Sequence, residues 1–182
     1  MTQEQIEKAI DKAKKGIIQY LEIMDLLYKV DVSSHREFQK KYNAFYRVRQ
    51  RTEDWYNIYY NFLENSKNSS VTFSETIDYI YNNLGRYEPS FSSKLVATIN
   101  PLKPIWDEYV LENTGHKPPS YQNPNKINDA KLAYQSIEAW YIDFLQSDTG
   151  KLCISIFNEK IFRHKEITDL KKVDFILWQT RA

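Results

Sequence analysis

Apolar residues recur every three or four positions along most of this chain, which is the spacing of one face of an α-helix. Ile6, Ile10, Ala13, Ile17, Leu21, Met24 and Leu27 form the first stripe. Thr2 and Gln5 stand ahead of it at capping-box spacing, and the polar run Asp31-Val32-Ser33-Ser34 follows. A helix from Thr2 to about Val30 is therefore predicted, with Gly16 costing roughly 1 kcal/mol inside it. Phe38, Tyr42, Phe45, Val48, Thr52, Trp55, Tyr59 and Phe62 form a second stripe, with Ser33 or Ser34 as its cap. This stripe extends to about Asn65, with a break expected near 51–53. After the polar loop NSKNSS, Thr72 and Glu75 repeat the capping box ahead of ETIDYIYNNL. Gly85 then stands where a left-handed C-terminal residue is needed.

Helical character returns over 90–99, and Pro101 and Pro104 bracket the next turn. A helix over 105–113 is stopped by Gly115. The segment HKPPSYQNPNK (116–126) carries three prolines and is the one candidate lid or lobe boundary. Residues 127–145 are helical again, with Ala130, Ala133, Ile137, Trp140 and Phe144 on one face. Ser147 caps a helix through Cys153, Phe157 and Phe162, and Thr168 or Asp169 caps the last one, LKKVDFILWQTR. Sustained period-two alternation is missing, as are repeats and low-complexity tracts. The expectation is an all-α fold, a compact orthogonal domain of about eight helices spanning 1–182 as one unit.

Composition narrows the function classes. Four glycines in 182 residues argue against a glycine-rich phosphate loop. The net charge of +1 names no partner by itself. A single cysteine, Cys153, excludes an internal disulfide and a cysteine-based zinc site. His35, His116 and His164 lack the spacing of a helical metal pair, so no metal and no cofactor is expected. The polar N-terminus and the lack of any run of about 18 apolar residues predict no membrane association and a cytoplasmic location.

The stretch SFSSKLVATINPLKPIWDEYVLENTG (90–115) carries the candidate chemistry. It reads as helix, Pro-bounded loop, helix, with Asp107 at the mouth of the second helix. This order resembles the middle of the helix-hairpin-helix DNA glycosylase superfamily, where such a loop delivers an aspartate to the active site. The resemblance implies that Asp107 stabilises positive charge on a sugar, or positions water, during N-glycosidic cleavage. It also implies Lys94 as an amine able to form a Schiff base, although its 13-residue separation from Asp107 is shorter than the family pattern. The glycine hairpin of the superfamily is missing, since 84–94 reads LGRYEPSFSSK. A phosphate grip would fall to Ser90, Ser92 and Ser93 at a helix N-terminus, with Arg86 or Lys94. Read without the resemblance, Asp107 is a helix cap and Lys94 a solvated or phosphate-contacting lysine.

The segment HREFQKKYNAFYRVRQR (35–51) holds six Arg and Lys against one Glu, with aromatics interleaved. Arg47, Arg49 and Arg51 are the candidate contacts to duplex DNA, the aromatics being either base-stacking or core. Lys160, Arg163, His164, Lys165, Lys171 and Lys172 form a second basic cluster that could share a surface with the first. Two functions remain open at this point. One is a DNA-binding, glycosylase-like protein, active or not, and the other a non-catalytic helical scaffold or protein-interaction module.

Overall fold

A computed structural model describes residues 1–180 and contains, among them, nine α-helices and no strand. They are α1 (Gln3–Leu27), α2 (Arg36–Tyr46), α3 (Glu53–Ser66), α4 (Phe73–Leu84), α5 (Pro89–Ile99), α6 (Glu108–Thr114), α7 (Lys126–Gln146), α8 (Asp148–Lys160) and α9 (Asp169–Gln179). A single 3₁₀ turn, His164–Glu166, precedes α9. The all-α expectation holds, and no described helix is long and apolar enough to cross a membrane.

Local chemistry sets most of the boundaries. Both capping boxes form: Thr2 and Gln5 satisfy each other's backbone N–H groups at the start of α1, and Thr72 and Glu75 do so at α4. Gly85 and Gly115 end α4 and α6 with φ of 63° and 72°, a region costly for any side chain. Thr52, Ser147 and Thr168 cap α3, α8 and α9. The second stripe does break into two helices, but the break begins earlier than the expected 51–53. Arg47 closes α2 in the left-handed region at φ 55°, and the chain then runs unhelical to Thr52. The cap of α2 is His35, whose Nδ1 accepts from Phe38 N at 3.2 Å, in place of Ser33 or Ser34. Helix α8 stops at Lys160, before Phe162, which is 98% exposed rather than core. Helix α6 begins at Glu108, so Ile105 and Trp106 belong to the loop.

The core is unusually aromatic. Trp55, Tyr20, Tyr42, Tyr59, Tyr60, Tyr141, Phe38 and Phe157 are all fully buried. Tyr42, Tyr59, Tyr60 and Tyr141 find hydroxyl partners: Tyr42 and Tyr59 share a hydrogen bond of 2.8 Å, Tyr59 donates to Phe91 O at 2.9 Å, Tyr60 to Asn43 Oδ1 at 2.7 Å and Tyr141 to Asp174. Helix α5 runs through this interior. Every residue from Ser92 to Ile99 is buried, including Ser92, Ser93, Lys94 and Thr98. The first and last helices also meet, α1 packing along α9 through contacts such as the edge-on Tyr20–Phe175 pair at 5.6 Å.

Two glycines test the packing with opposite signs. A Cβ on Gly150 would lie 2.0 Å from the backbone oxygen of Phe144, at the joint of α7 and α8. Gly150→Ala is expected to destabilise by about 2 kcal/mol, since the joint must open. A Cβ on Gly16 meets only Phe45 Cε2 at 3.7 Å, so Gly16→Ala should stabilise by about 0.5–1 kcal/mol. Urea unfolding of the two variants measures both, and a stable Gly150→Ala protein would show that the joint yields.

Candidate active-site pocket

Lys94 projects from the second turn of the buried helix α5, and Asp107 caps α6 across the proline loop. The fold brings both to one pocket, lined also by Phe45, Tyr46, Ile105, Val110, Lys171, Asp174, Phe175 and Trp178. The free space inside is about 20 Å³, room for about one water molecule.

The proline loop is held at several points. Ser93 Oγ accepts from Trp106 N at 2.8 Å. Tyr134 Oη donates to Pro104 O at 2.8 Å, and Thr168 Oγ1 donates to Pro101 O at 2.6 Å. The Trp106 ring lies parallel to Phe73, which stacks in turn on Tyr134 at 4.0 Å. Asp107 follows this pinned segment, and its Oδ1 accepts from Tyr109 N at 3.1 Å. The cap reading of Asp107 is thus present in the structure, and its placement in the pocket is present too.

Lys94 is not a solvated lysine. It is 8% exposed, and its Nζ donates to the carbonyl of Tyr46 at 3.3 Å, at the end of α2. The ammonium also faces Phe91 at 4.9 Å and Tyr46 at 6.0 Å. Among the described residues no carboxylate comes within 4 Å of it. Burial is the main force on this amine and lowers its pKa to about 8, against a partial upward pull from Asp107.

Lys171 and Asp174, both on α9, make the rear wall. Lys171 Nζ lies 2.9 Å from Asp174 Oδ2, both side chains being nearly inaccessible. Tyr141 donates its hydroxyl proton to Asp174 Oδ1. Burial raises the pKa of Asp174, Lys171 opposes that, and the negative charge of Asp107 adds to it. Sequence reasoning passed over this pair by counting Lys171 as surface charge. The i, i+3 spacing of a lysine and an aspartate inside an apolar helix was the available signal.

Trp178, in the last turn of α9, is the half-buried member of the lining on the solvent side, with the exposed Arg47 guanidinium 5.7 Å from its ring centre. Arg47 and Arg49 are exposed. Arg51 is instead drawn inward, its Nη2 lying 3.2 Å from Glu88 Oε2 while its guanidinium stacks over Phe91 and Trp55. Arg86 holds the other oxygen of Glu88 at 3.1 Å, so the DNA contact expected of Arg51 and the phosphate grip expected of Arg86 both meet a carboxylate already in place. Ser92 and Ser93 are fully buried and cannot face a phosphate. Ser92 Oγ donates to Glu88 O and Ser93 Oγ to Ser90 O. Nor does the second basic cluster form one open surface. Lys171 and Lys172 are buried in ion pairs, Lys160 holds Asp11, and Arg163 holds Asp25 and Glu166.

On the other side of Asp107 lies a broad groove of about 1110 Å³ between the start of α5 and the proline-rich segment, with Tyr87, Glu88, Glu112, His116 and Tyr121 on its walls. Asp107 is common to the groove and the pocket. Cys153 is buried, its thiol pushed up to about 11 by burial, which leaves it without nucleophilic character at neutral pH. The described residues contain no His, Cys, Asp and Glu group able to hold a metal ion.

Ser93 is the side chain on which the approach of Asp107 to Lys94 turns. Ser93→Ala should cost about 1–3 kcal/mol, the penalty of leaving the buried Trp106 N–H without its acceptor. Hydrogen exchange should show the 101–107 loop opening faster than the flanking helices, and unchanged protection there would contradict the role. No known family model, curated protein or solved structure shows a significant match to the chain.

Proposed function

We propose that this protein cleaves N-glycosidic bonds in DNA, with Lys94 as the attacking amine and Asp107 as the carboxylate that stabilises positive charge developing on the sugar. The observation that carries the reading is the state of Lys94: a buried amine, without a carboxylate in contact, in the same pocket as Asp107. An amine nucleophile must be neutral to attack, and desolvation is the ordinary means of making a lysine so. With a pKa of about 8, roughly one molecule in ten carries the free amine at pH 7. For an unperturbed lysine the fraction is smaller by a factor of hundreds.

In this scheme a base leaves the duplex stack and enters between the aromatic walls of the pocket. Its entry requires Trp178 to swing aside, because the closed pocket holds only about one water. Lys94 Nζ attacks C1′, the bond to the base breaks, and the Asp107 carboxylate offsets the charge on the sugar. Arg47, exposed against Trp178, and Arg49, exposed two residues further along, supply cations for the flanking phosphates. A scaffold role is the competing reading. It is favoured by the Asp107–Tyr109 cap bond and by the internal pairing of so many basic residues.

Reductive trapping on a duplex with one abasic site tests the amine without any need to know the base. The wild type should form a covalent adduct with borohydride present. Lys94→Met should form none, and Asp107→Asn should trap at least tenfold more slowly. An adduct that persists in Lys94→Met would remove the assignment, and no adduct in the wild type would favour the scaffold. Lys94→Met should also raise stability at pH 7. The lowering from 10.5 to about 8 corresponds to roughly 3 kcal/mol against the buried charge, of which about 1–3 kcal/mol should be recovered.

The pH dependence follows from the same shift. Between about 8 and 10.5 the unfolded chain keeps a proton on Lys94 that the folded one has released, so this residue's contribution to stability rises with pH in that window. Below about 8 both states are protonated and the burial penalty is at its full value. Trapping rates should climb about tenfold per pH unit below 8 and level off above it. A rate independent of pH from 6 to 9 would show that Lys94 is not the titrating nucleophile.

A further inference from the structure

Amine-assisted glycosidic cleavage of a neutral base calls for two groups in opposite protonation states: a free amine to attack and an acid to protonate the departing ring. The pocket holds two lysines in contrasting surroundings. Lys94 contacts a carbonyl and two aromatic faces. Lys171 is 1% exposed and has its ammonium 2.9 Å from Asp174, with the Tyr20 ring 5.7 Å away on another side. One group is stripped of its counter-ion and the other is provided with one. Tyr141 fixes the carboxylate from behind. A structural ion pair has no need of this address. Lys131–Asp78 joins two helices and Lys103–Glu138 joins the proline loop to α7, both partly exposed, whereas Lys171 and Asp174 face the cavity that holds Lys94 and Asp107.

We propose that Lys171 is the general acid for the leaving base, with Asp174 and Tyr141 as its positioning residues. This rests on the glycosidic-cleavage reading of the pocket. Lys94 Nζ, as the free amine, forms a bond to C1′ and becomes a cationic secondary amine. The C1′–N bond breaks with its electron pair on the base nitrogen. Lys171 gives one ammonium proton to that nitrogen and is left as a neutral amine beside ionised Asp174. The base leaves neutral, the total charge is unchanged, and Lys171 regains a proton from solvent once the pocket opens. A carboxylate anchor suits this task, because it holds the ammonium in place before transfer and remains hydrogen-bonded by Tyr141 after it.

An abasic site has no base to protonate, and the carbinolamine hydroxyl leaves as water with a proton passed from the attacking amine through solvent, so this substrate separates the two lysines. Two variants are compared with wild type: Lys171→Met, and Lys171→Met/Asp174→Asn, which replaces the buried pair with neutral groups. Each is assayed for borohydride trapping on an abasic duplex. Each is also assayed for excision from duplexes carrying uracil, hypoxanthine or 8-oxoguanine, and from one carrying 7-methylguanine, which is already cationic and leaves without a proton. Trapping should stay within about threefold of wild type in at least one variant, while excision of the neutral base falls on the order of a hundredfold. Excision of 7-methylguanine should fall less than tenfold. Where wild type does not excise 7-methylguanine, the split between trapping and neutral-base excision decides.

The proposal is overturned if excision is unaffected, if trapping and excision fall together in both variants, or if 7-methylguanine and neutral bases lose equally. It is also overturned by a wild type that traps abasic sites yet excises no base. A wild type that fails to trap at all rejects the Lys94 reading itself, which is a different result.

Discussion

The hydrogen bond from Trp106 N–H to the Ser93 hydroxyl joins the most buried helix of the fold to its least regular loop. Much of the pocket depends on that joint. Helix α5 can be fully interior only because its polar side chains are satisfied inside it: Ser92 on Glu88 O, Thr98 on Lys94 O and on the Tyr46 hydroxyl. The loop between Asn100 and Asp107 has no helix of its own. It is held by Ser93, Tyr134 and Thr168, which stand on three different helices or helix caps. Asp107 is therefore fixed relative to Lys94 by the core rather than by its neighbours in sequence.

The distribution of charge follows two rules. Along the rim, cations are matched with carboxylates from distant parts of the chain, as in Arg163 with Asp25 and Lys160 with Asp11. Such pairs contribute little each, because water screens them. Inside, Lys94 breaks the pattern: an ammonium with only a carbonyl and ring faces is a poor use of a buried site for stability alone. Burial without a counter-ion stands out in a protein that pairs its other buried lysines, Lys67 with Glu64, Lys171 with Asp174 and Lys172 with Asp169.

Short-range chemistry was legible in the chain. The capping boxes at Thr2 and Thr72, the left-handed Gly85 and Gly115 and the caps at Ser147 and Thr168 depend on residues within one turn, so local spacing reveals them. The failures share a cause. Phe162 continues an apolar period that the backbone has already abandoned at Ile161. His35 displaces two serines as a cap, a choice set by where α2 enters the core. Ser92, Ser93, Lys171 and Lys172 were read as surface because their types usually are, and a polar residue's burial depends on partners far along the chain. Lys94 and Asp107 were both identified, but their shared pocket rests on α2 and α9, which no spacing within 90–115 encodes.

The Trp178–Arg47 contact has a consequence for affinity. The cavity has room for about one water, so a larger occupant would bind only the fraction of molecules in which Trp178 has moved aside. Its apparent dissociation constant is the intrinsic one divided by that fraction, so a pocket open one time in a hundred weakens binding about a hundredfold. Every occupant bears the same factor, however well its atoms match the walls. Selectivity between occupants would then be left to contacts made after opening, while the overall strength of binding would be set in advance by a tryptophan and an arginine far apart in the sequence.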